Sequence, residues 1–201
     1  MITITGTSIT KRFNTQILFK KLDLQMTSGS SWSITGANGS GKSTLLQIIA
    51  RIQQPTKGSI EYKLNDVLLT DEKIHETMSY TGPLINPYDE LTGEENLAFC
   101  SKSQENLEKG MELLDYFEIF KHRSKALKFY SSGMKQRLKL ILALCNNPEI
   151  LFLDEPSMYL DNTGIDKLFT ILSDFSSKLL LVLATNEDTE KNFCKEEIHL
   201  G

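Results

Sequence analysis

The segment GANGSGKST, residues 36–44, constrains this chain more than any other. The apolar patch Trp32 to Ile34 runs into it, and the apolar run Leu45 to Ala50 leaves it. Gly36, Gly39 and Gly41 lack a Cβ, so the backbone can curl and turn successive N–H groups toward one anion. A helix that begins where the loop ends adds the positive potential of its unpaired N–H groups. Lys42 can then reach the terminal phosphates of a nucleotide, and the Ser43 hydroxyl can ligate Mg²⁺. Ala37, Asn38, Ser40 and Thr44 fill the remaining places of the loop. The spacing is that of a phosphate-binding loop, with a short strand before it and a helix after it. Asn38 also opens an Asn-Gly-Ser glycosylation pattern, but a sugar there would block the phosphate pocket.

Composition narrows the setting. A chain of 201 residues with 40% apolar side chains suits one domain with a full-sized core, with room for an inserted lobe. Its longest apolar runs, such as Leu179 to Ala184, are too short to span a bilayer. The N-terminal MITITGTSIT lacks the basic start and long apolar stretch of a signal peptide. Cys100, Cys145 and Cys194 are odd in number and widely spaced, which predicts reduced, mostly buried thiols and no zinc site. A formal net charge of −4 gives no electrostatic reason to expect nucleic acid.

The hydrophobic pattern gives a coarse map. Residues 2–35 read as short strands with turns at Asn14 and at Ser28-Gly29. A helix is predicted from Lys42 to about Arg51, then strand over GSIEYKLNDVLL, then a short buried strand at Met78-Ser79-Tyr80. From Thr92 to Lys125 the pattern is helical and charged. Thr92 and Glu95 form a predicted capping box. Leu107, Met111, Leu114 and Phe117 mark a core-facing stripe, and Gly110 weakens the helical reading. The last third alternates: a helix with Met134, Leu138, Ile141, Leu142 and Cys145 on one face, the buried strand EILFLDEP, a helix over DNTGIDKLFTILSDF, the buried strand KLLLVLAT, and a short helix over NEDTEKNF. Continuous apolar strands between helices indicate a parallel sheet covered on both faces.

Two further motifs carry chemistry. ILFLDEP ends in Asp154 and Glu155, at the end of a parallel strand where such sheets bind ligands. Asp154 can hold a Mg²⁺ shell and Glu155 can polarise an attacking water. YSSGMKQR, residues 130–137, places two serines and a glycine ahead of an amphipathic helix. Alone it reads as an ordinary N-cap.

With these motifs in this order, the chain resembles the ATP-binding cassette (ABC) ATPases, the motor subunits of ABC transporters, over essentially its whole length. GANGSGKS is similar to the family's Walker A motif, YSSGM to its signature motif, ILFLDE to Walker B with the catalytic glutamate, and MYLD at 158–161 to the D-loop. Phe13 stands where the family stacks an aromatic ring on adenine. The resemblance implies an α/β P-loop NTPase core with a mostly parallel sheet, an antiparallel β-subdomain and an inserted helical subdomain. As a single domain over 1–201, the core with its β-subdomain would take about 1–75 and 136–201, and the helical subdomain about 84–135. It also implies ATP and Mg²⁺ as ligands. Ser43 and Asp154 would serve the metal, and Ser131, Ser132 and Gly133 would contact an ATP held by the opposite subunit.

The departures bear on rate. Pro83 stands where the family has a glutamine, unless a shift in register brings Asn86 to that place. Proline has no side-chain donor or acceptor. Asn186 follows Thr185 where the family has a histidine; an amide can bond a γ-phosphate but cannot carry a proton as imidazole does. Glu155 and Asn186 are thus the expected catalytic positions, with tight ATP binding and slow or partner-dependent hydrolysis. The resemblance implies a short, bacterial exporter-like ATPase subunit, with haem exporters among the possibilities. It would pair with a second copy or a paralogue and act on a separately encoded transmembrane permease, in the cytoplasm at the inner face of the membrane, without nucleic acid. A soluble regulatory ABC ATPase of ribosome or DNA is the alternative. It lacks support from a second cassette, a long coiled coil or a basic arm. A small-molecule kinase or GTPase does not fit YSSGM and lacks an NKxD.

Overall fold

A computed structural model describes residues 1–174 and 179–201. Phe175 and Lys178, the expected end of one helix and start of one strand, lie outside these. The described chain divides into two compact units. The first holds Met1–Tyr80, Glu149–Asp154 and the described residues of 176–201; the second holds Thr81–Pro148 and the described residues of 155–175.

The first unit contains two sheets. β1 (Ile2–Phe13) pairs antiparallel with β2 (Gln16–Thr27) through a turn at Asn14, whose φ of 51° suits an asparagine. β4 (Lys57–Leu64) pairs with the other edge of β1, and β5 (Val67–Leu68) closes a hairpin through Asn65-Asp66. The run read as one strand over 58–69 is therefore two. The second sheet has the order β6-β7-β8-β3-β9. Its members are β3 (Ser31–Gly36), β6 (Met78–Thr81), β7 (Ile150–Asp154), β8 (Leu180–Ala184) and β9 (Glu196–Leu200). β3, β7, β8 and β9 pair in parallel. Every residue of β7 and β8 is buried, as continuous apolar strands in a covered sheet require. Ile34, Leu45, Leu46, Ile49, Phe152 and Val182 belong to one apolar cluster, which also takes in Ile4 and Tyr62 of the antiparallel sheet. α1 (Lys42–Ile49) packs here, and so do two short helices, α2 (Asp71–Thr77) and α7 (Asp188–Phe193). α2 and β9 have little apolar periodicity and escaped the sequence map. α2 is held by a Thr70 cap, and β9 is exposed along most of its length.

The second unit is helical: α3 (Gly93–Cys100), α4 (Gln104–Tyr116), α5 (Ser132–Leu144) and α6 (Asn162–Asp174), with short 3₁₀ turns at Phe120–His122 and Leu127–Phe129. The capping box forms as its spacing predicts. Thr92 Oγ1 accepts from Glu95 N, and Glu95 Oε2 accepts from Thr92 N at 2.7 Å. Gly110, which weakened the helical reading, is a packing glycine. A Cβ there would stand 2.3 Å from Leu97 Cδ1. The buried stripe of α4 is accordingly Gly110, Leu113, Leu114 and Phe117, with Leu107 and Met111 only half-buried. α5 buries more than one stripe, because Gln136, Leu140 and Leu144 are buried as well as Leu138 and Ile141. Of the thiols, Cys145 is buried, Cys194 half-buried and Cys100 exposed, all unpaired. Burial pushes the Cys145 thiol up to about 11 and that of Cys194 to about 12.

Asn96 organises the entry to α3. It is fully buried. Its Nδ2 donates to Tyr88 O at 3.0 Å and Thr92 O at 2.9 Å, and its Oδ1 accepts from Tyr88 N at 2.8 Å. An Asn96→Ala protein loses all three bonds and leaves the Tyr88 backbone unpaired. It should unfold in urea with about 3 kcal/mol less stability, at roughly 1 kcal/mol per bond.

Candidate nucleotide site

The register of the parallel sheet brings the candidate residues of the first unit to one edge. Ile34 of β3 and Asp154 of β7 both lie opposite Ala184 of β8, so β7 and β8 end together and β3 runs two residues further, to Gly36. Beyond those ends stand the loop from Gly36, the carboxylate of Asp154, and Thr185-Asn186. In an open α/β sheet this is the ligand-binding edge.

The loop is shaped around its glycines. Gly36 has φ 140°, and a Cβ there would lie 2.2 Å from Leu200 O and 2.8 Å from Ser40 Oγ, so only hydrogen fits. Gly41, at φ 103°, sets the start of α1 without a side-chain cap and with no acid in the first turn. That helix N-terminus is left open to an anion. Lys42 is 7% exposed and curls back on the loop, its Nζ donating to Gly36 O at 3.0 Å and Ala37 O at 3.2 Å. An ammonium has three donors, so one remains for a ligand. Among the described residues Ser40 Oγ is buried with no hydrogen-bond partner. An orphaned hydroxyl inside an anion cradle is the signature of an incoming oxygen, and the loop fits a phosphate on that ground.

Ser43 Oγ donates to Asp154 Oδ1 at 2.9 Å. Sequence reasoning paired these two; it missed their neighbours. Tyr80 OH lies 3.4 Å from Asp154 Oδ2, and Gln47 Nε2 lies 3.5 Å from Tyr80 OH, both at the outer reach of hydrogen bonding. Gln47 was findable, since it follows Ser43 by four residues on one helical face. Tyr80 looked like the end of a buried strand. Asn186 is exposed and donates from Nδ2 to Asn38 Oδ1 in the loop at 2.5 Å. Thr185 beside it is fully buried, its N–H on Ile34 O and its Oγ1 accepting from Glu187 N. Phe13, at the end of β1, is 46% exposed and so is not core; Lys11 Nζ stands 5.0 Å from its ring centre.

The remaining candidates belong to the second unit. Glu155 follows Asp154 with φ 49°, a left-handed backbone uncommon for a glutamate. Ser131 caps α5, its Oγ accepting from Met134 N at 3.2 Å, and Ser132 opens the helix. Both are exposed. A Cβ on Gly133 would come 2.9 Å from Tyr159 O, so the glycine permits close packing against the MYLD segment. Gln136 Nε2 donates to Pro156 O at 2.8 Å, which ties α5 to the chain just after Glu155. Pro83 and Asn86 lie in an irregular segment with exposed Leu84 and Ile85.

Burial, and less strongly the nearby Asp154, hold the Tyr80 hydroxyl up at about 12, against 10 for an unhindered tyrosine. A raised acid keeps its proton in the folded state longer than in the unfolded one. The Tyr80 contribution is therefore intact below pH 10 and is lost as pH rises toward 12. Stability measured by denaturant midpoint should fall less steeply from pH 10 to 12 in Tyr80→Phe than in the parent protein.

Comparison with known proteins gives the family. The ABC transporter family profile matches residues 19–158. BcrA, the bacitracin transport ATP-binding protein of Enterococcus faecalis, is 32% identical over 84% of this chain and 56% of its own length. DrrA, the daunorubicin/doxorubicin resistance ATP-binding protein of Streptomyces peucetius, is 30% identical over 92% of this chain and 57% of its own. The chain thus spans little more than half of these relatives. LolD, the lipoprotein-releasing system ATP-binding protein of Protochlamydia amoebophila, is 30% identical over 91% of this chain and 86% of its own length. Among solved structures, the dimeric MJ0796, a bacterial ABC transporter cassette, superposes with a TM-score of 0.83 at 25% identity, covering 98% of this chain and 94% of that one. The α/β P-loop fold, the loop and the matched profile together make this chain a member of the ABC transporter ATPase family.

Proposed function

We propose that the chain is the ATP-binding and ATP-hydrolysing subunit of an ABC transporter. The observation that carries this is the meeting, at one sheet edge, of an anion cradle containing an orphaned Ser40 hydroxyl with the Ser43–Asp154 pair. Relatives support it: BcrA, DrrA and LolD are named as ATP-binding proteins, and the MJ0796 cassette is described as a dimer and in a post-hydrolysis state with ADP and Pi.

In this reading Gly36 to Thr44 wrap the phosphates, with Ala37, Asn38, Gly39 and Gly41 turning N–H groups inward and Lys42 placing a cation between the β- and γ-phosphates. Phe13 stacks on adenine. Ser43 and Asp154 would hold Mg²⁺. One hydroxyl and one carboxylate suit an ion that completes its shell with water and substrate phosphates. When bound, that ion neutralises phosphate charge. Glu155 takes the proton of the attacking water as the bond to the leaving ADP breaks. Asn186, already engaged with Asn38, presents its amide toward the γ-phosphate. With an amide there and Pro83 in place of a glutamine, hydrolysis is slow.

Ser131, Ser132 and Gly133 close over the ATP of a second cassette, a copy of this chain or a paralogue. The membrane subunit is a separate chain. It docks on the second unit, where Leu84, Ile85, Tyr88 and Phe99 are all exposed and Tyr88 meets Phe99 edge-to-face at 5.2 Å. Among the described residues no helix is long and apolar enough to cross a membrane. The chain sits at the cytoplasmic face, and cargo is chosen by the membrane subunit.

The test uses Glu155→Gln, which keeps an acceptor oxygen and loses the base. Its ATPase rate should drop roughly 10²–10⁴-fold. Light scattering should find it dimeric in saturating Mg-ATP and monomeric in ADP, whereas Lys42→Ala should bind neither and stay monomeric. A Glu155→Gln protein that remains monomeric with bound ATP would rule out the homodimer, and full activity would rule out Glu155 as base.

A further inference from the structure

The antiparallel sheet carries a pocket whose lining includes no residue of the phosphate loop. Its three longest strands do not pair regularly. Between β1 and β2 the register jumps from Gly6↔Leu24 to Ile9↔Leu22 and shifts again before Lys11↔Phe19. Between β1 and β4 it jumps from Thr7↔Ser59 to Thr10↔Lys57. Ser8 and Lys21 both adopt left-handed backbones, with φ 50° and 53°. Gly58 has φ 88°, and a Cβ there would lie 2.4 Å from Thr7 O, so only glycine lets β4 approach this closely. Bulges of this kind bend a sheet and re-aim its side chains. Thr10 and Thr56 fasten the bend. Thr10 Oγ1 accepts from Lys21 N at 3.0 Å, and Thr56 Oγ1 accepts from Arg12 N at 3.0 Å.

The bend encloses a pocket of about 470 Å³, within the range of small-ligand sites. Arg12, Lys20, Lys21 and Lys57 line it, around a half-exposed Ile17. Among the described residues nine other basic side chains each have a carboxylate within salt-bridge distance. These four have none; Lys121, Lys125 and Lys195 also have none but do not line this pocket, and the chain carries more acids than bases. Asp23 is not among the lining residues; its Oδ1 accepts from Ser8 N at 2.6 Å. The lining takes alternate residues of β1, Ser8, Thr10 and Arg12. Phe13 and Lys11 are not among them, and Lys11 stands by the Phe13 ring. The pocket is therefore on the other face of β1 from the expected adenine contact.

We propose that this pocket binds a phosphate-bearing anion, either an anionic lipid head group or a soluble polyphosphate. Four basic side chains with no carboxylate at salt-bridge distance line it. Ile17 and the lysine stems offer apolar contact beneath them. Among the described residues no aromatic ring lines it, so they offer no stacking platform of the kind single-stranded nucleic acid uses.

Two probes separate the sources, with ADP present throughout to fill the nucleotide loop. One is inorganic tripolyphosphate, followed by NMR at the amides of Thr10, Ile17, Lys21 and Gly58. The other is co-sedimentation with phosphatidylcholine vesicles containing phosphatidylglycerol. Shifts at those amides with tripolyphosphate assign a soluble ligand; vesicle binding without them assigns a head group. The Lys20→Gln/Lys21→Asn/Lys57→Gln protein, with asparagine chosen for the left-handed position, should bind vesicles roughly 100-fold more weakly. Replacing the same three lysines by arginine should restore binding, which separates lost charge from lost fold. Lys121→Gln/Lys125→Gln/Lys195→Gln carries the same charge change elsewhere and should bind as the parent does. The proposal is overturned if neither probe binds, if the pocket variant binds as the parent does, or if the control variant weakens equally.

Discussion

β8 is hydrogen-bonded on both sides, to β3 along Ser31–Ile34 and to β7 along Ile150–Asp154. It carries no candidate functional side chain, yet every distance at the loop edge depends on it. A one-residue slip on either side would exchange the two buried faces of the strand, so that its side chains no longer matched the helices packed on each, and would carry Asp154 away from Ser43. The register is secured by apolar content: Leu180, Val182 and Ala184 face one cluster with Ile34 and Phe152. The chemistry at the edge is thus positioned by side chains that take no part in it.

The parts of this arrangement that could be read in the sequence are those in which one residue type answers one local demand. Gly36 was legible because nothing larger fits against Leu200 O, and the Thr92–Glu95 box because its spacing is its geometry. The buried strands ending at Asp154 and Ala184 announced themselves by unbroken apolar runs. What escaped was set by tertiary context. The Asn186–Asn38 bond joins residues far apart in the chain, and Tyr80 meets Asp154 only because β6 and β7 are neighbours. β9 is an edge strand of mixed polarity, and its pairing with β3 is imposed from one side. Gly110 was read as a helix weakness, when its bareness is what admits Leu97.

The two sheets of the first unit solve different problems. The parallel sheet is regular and buried, so its strand ends can be aligned. The antiparallel sheet is bulged at Ser8 and Lys21 and half open to solvent, and there irregularity rather than alignment gathers charge. In the second, four basic side chains with no carboxylate at salt-bridge distance line one pocket.

The interleaving of the first unit along the chain has a consequence for synthesis. β3 is made early, but its partners come late: Ser31 pairs with Leu181, and Gly36 with Leu200. β1, β2 and β4 can pair among themselves as soon as they emerge, whereas β3 has to wait for roughly 150 more residues. At translation rates of about 5–20 residues per second, that wait lasts on the order of 10–30 s. Throughout it an apolar strand and the loop that follows it stand beside a growing helical unit with no sheet to join. The nascent chain therefore passes through a long interval in which a ribosome-associated chaperone has an unpaired strand to hold, and the loop cannot take its shape until the strand that ends at Leu200 has been made.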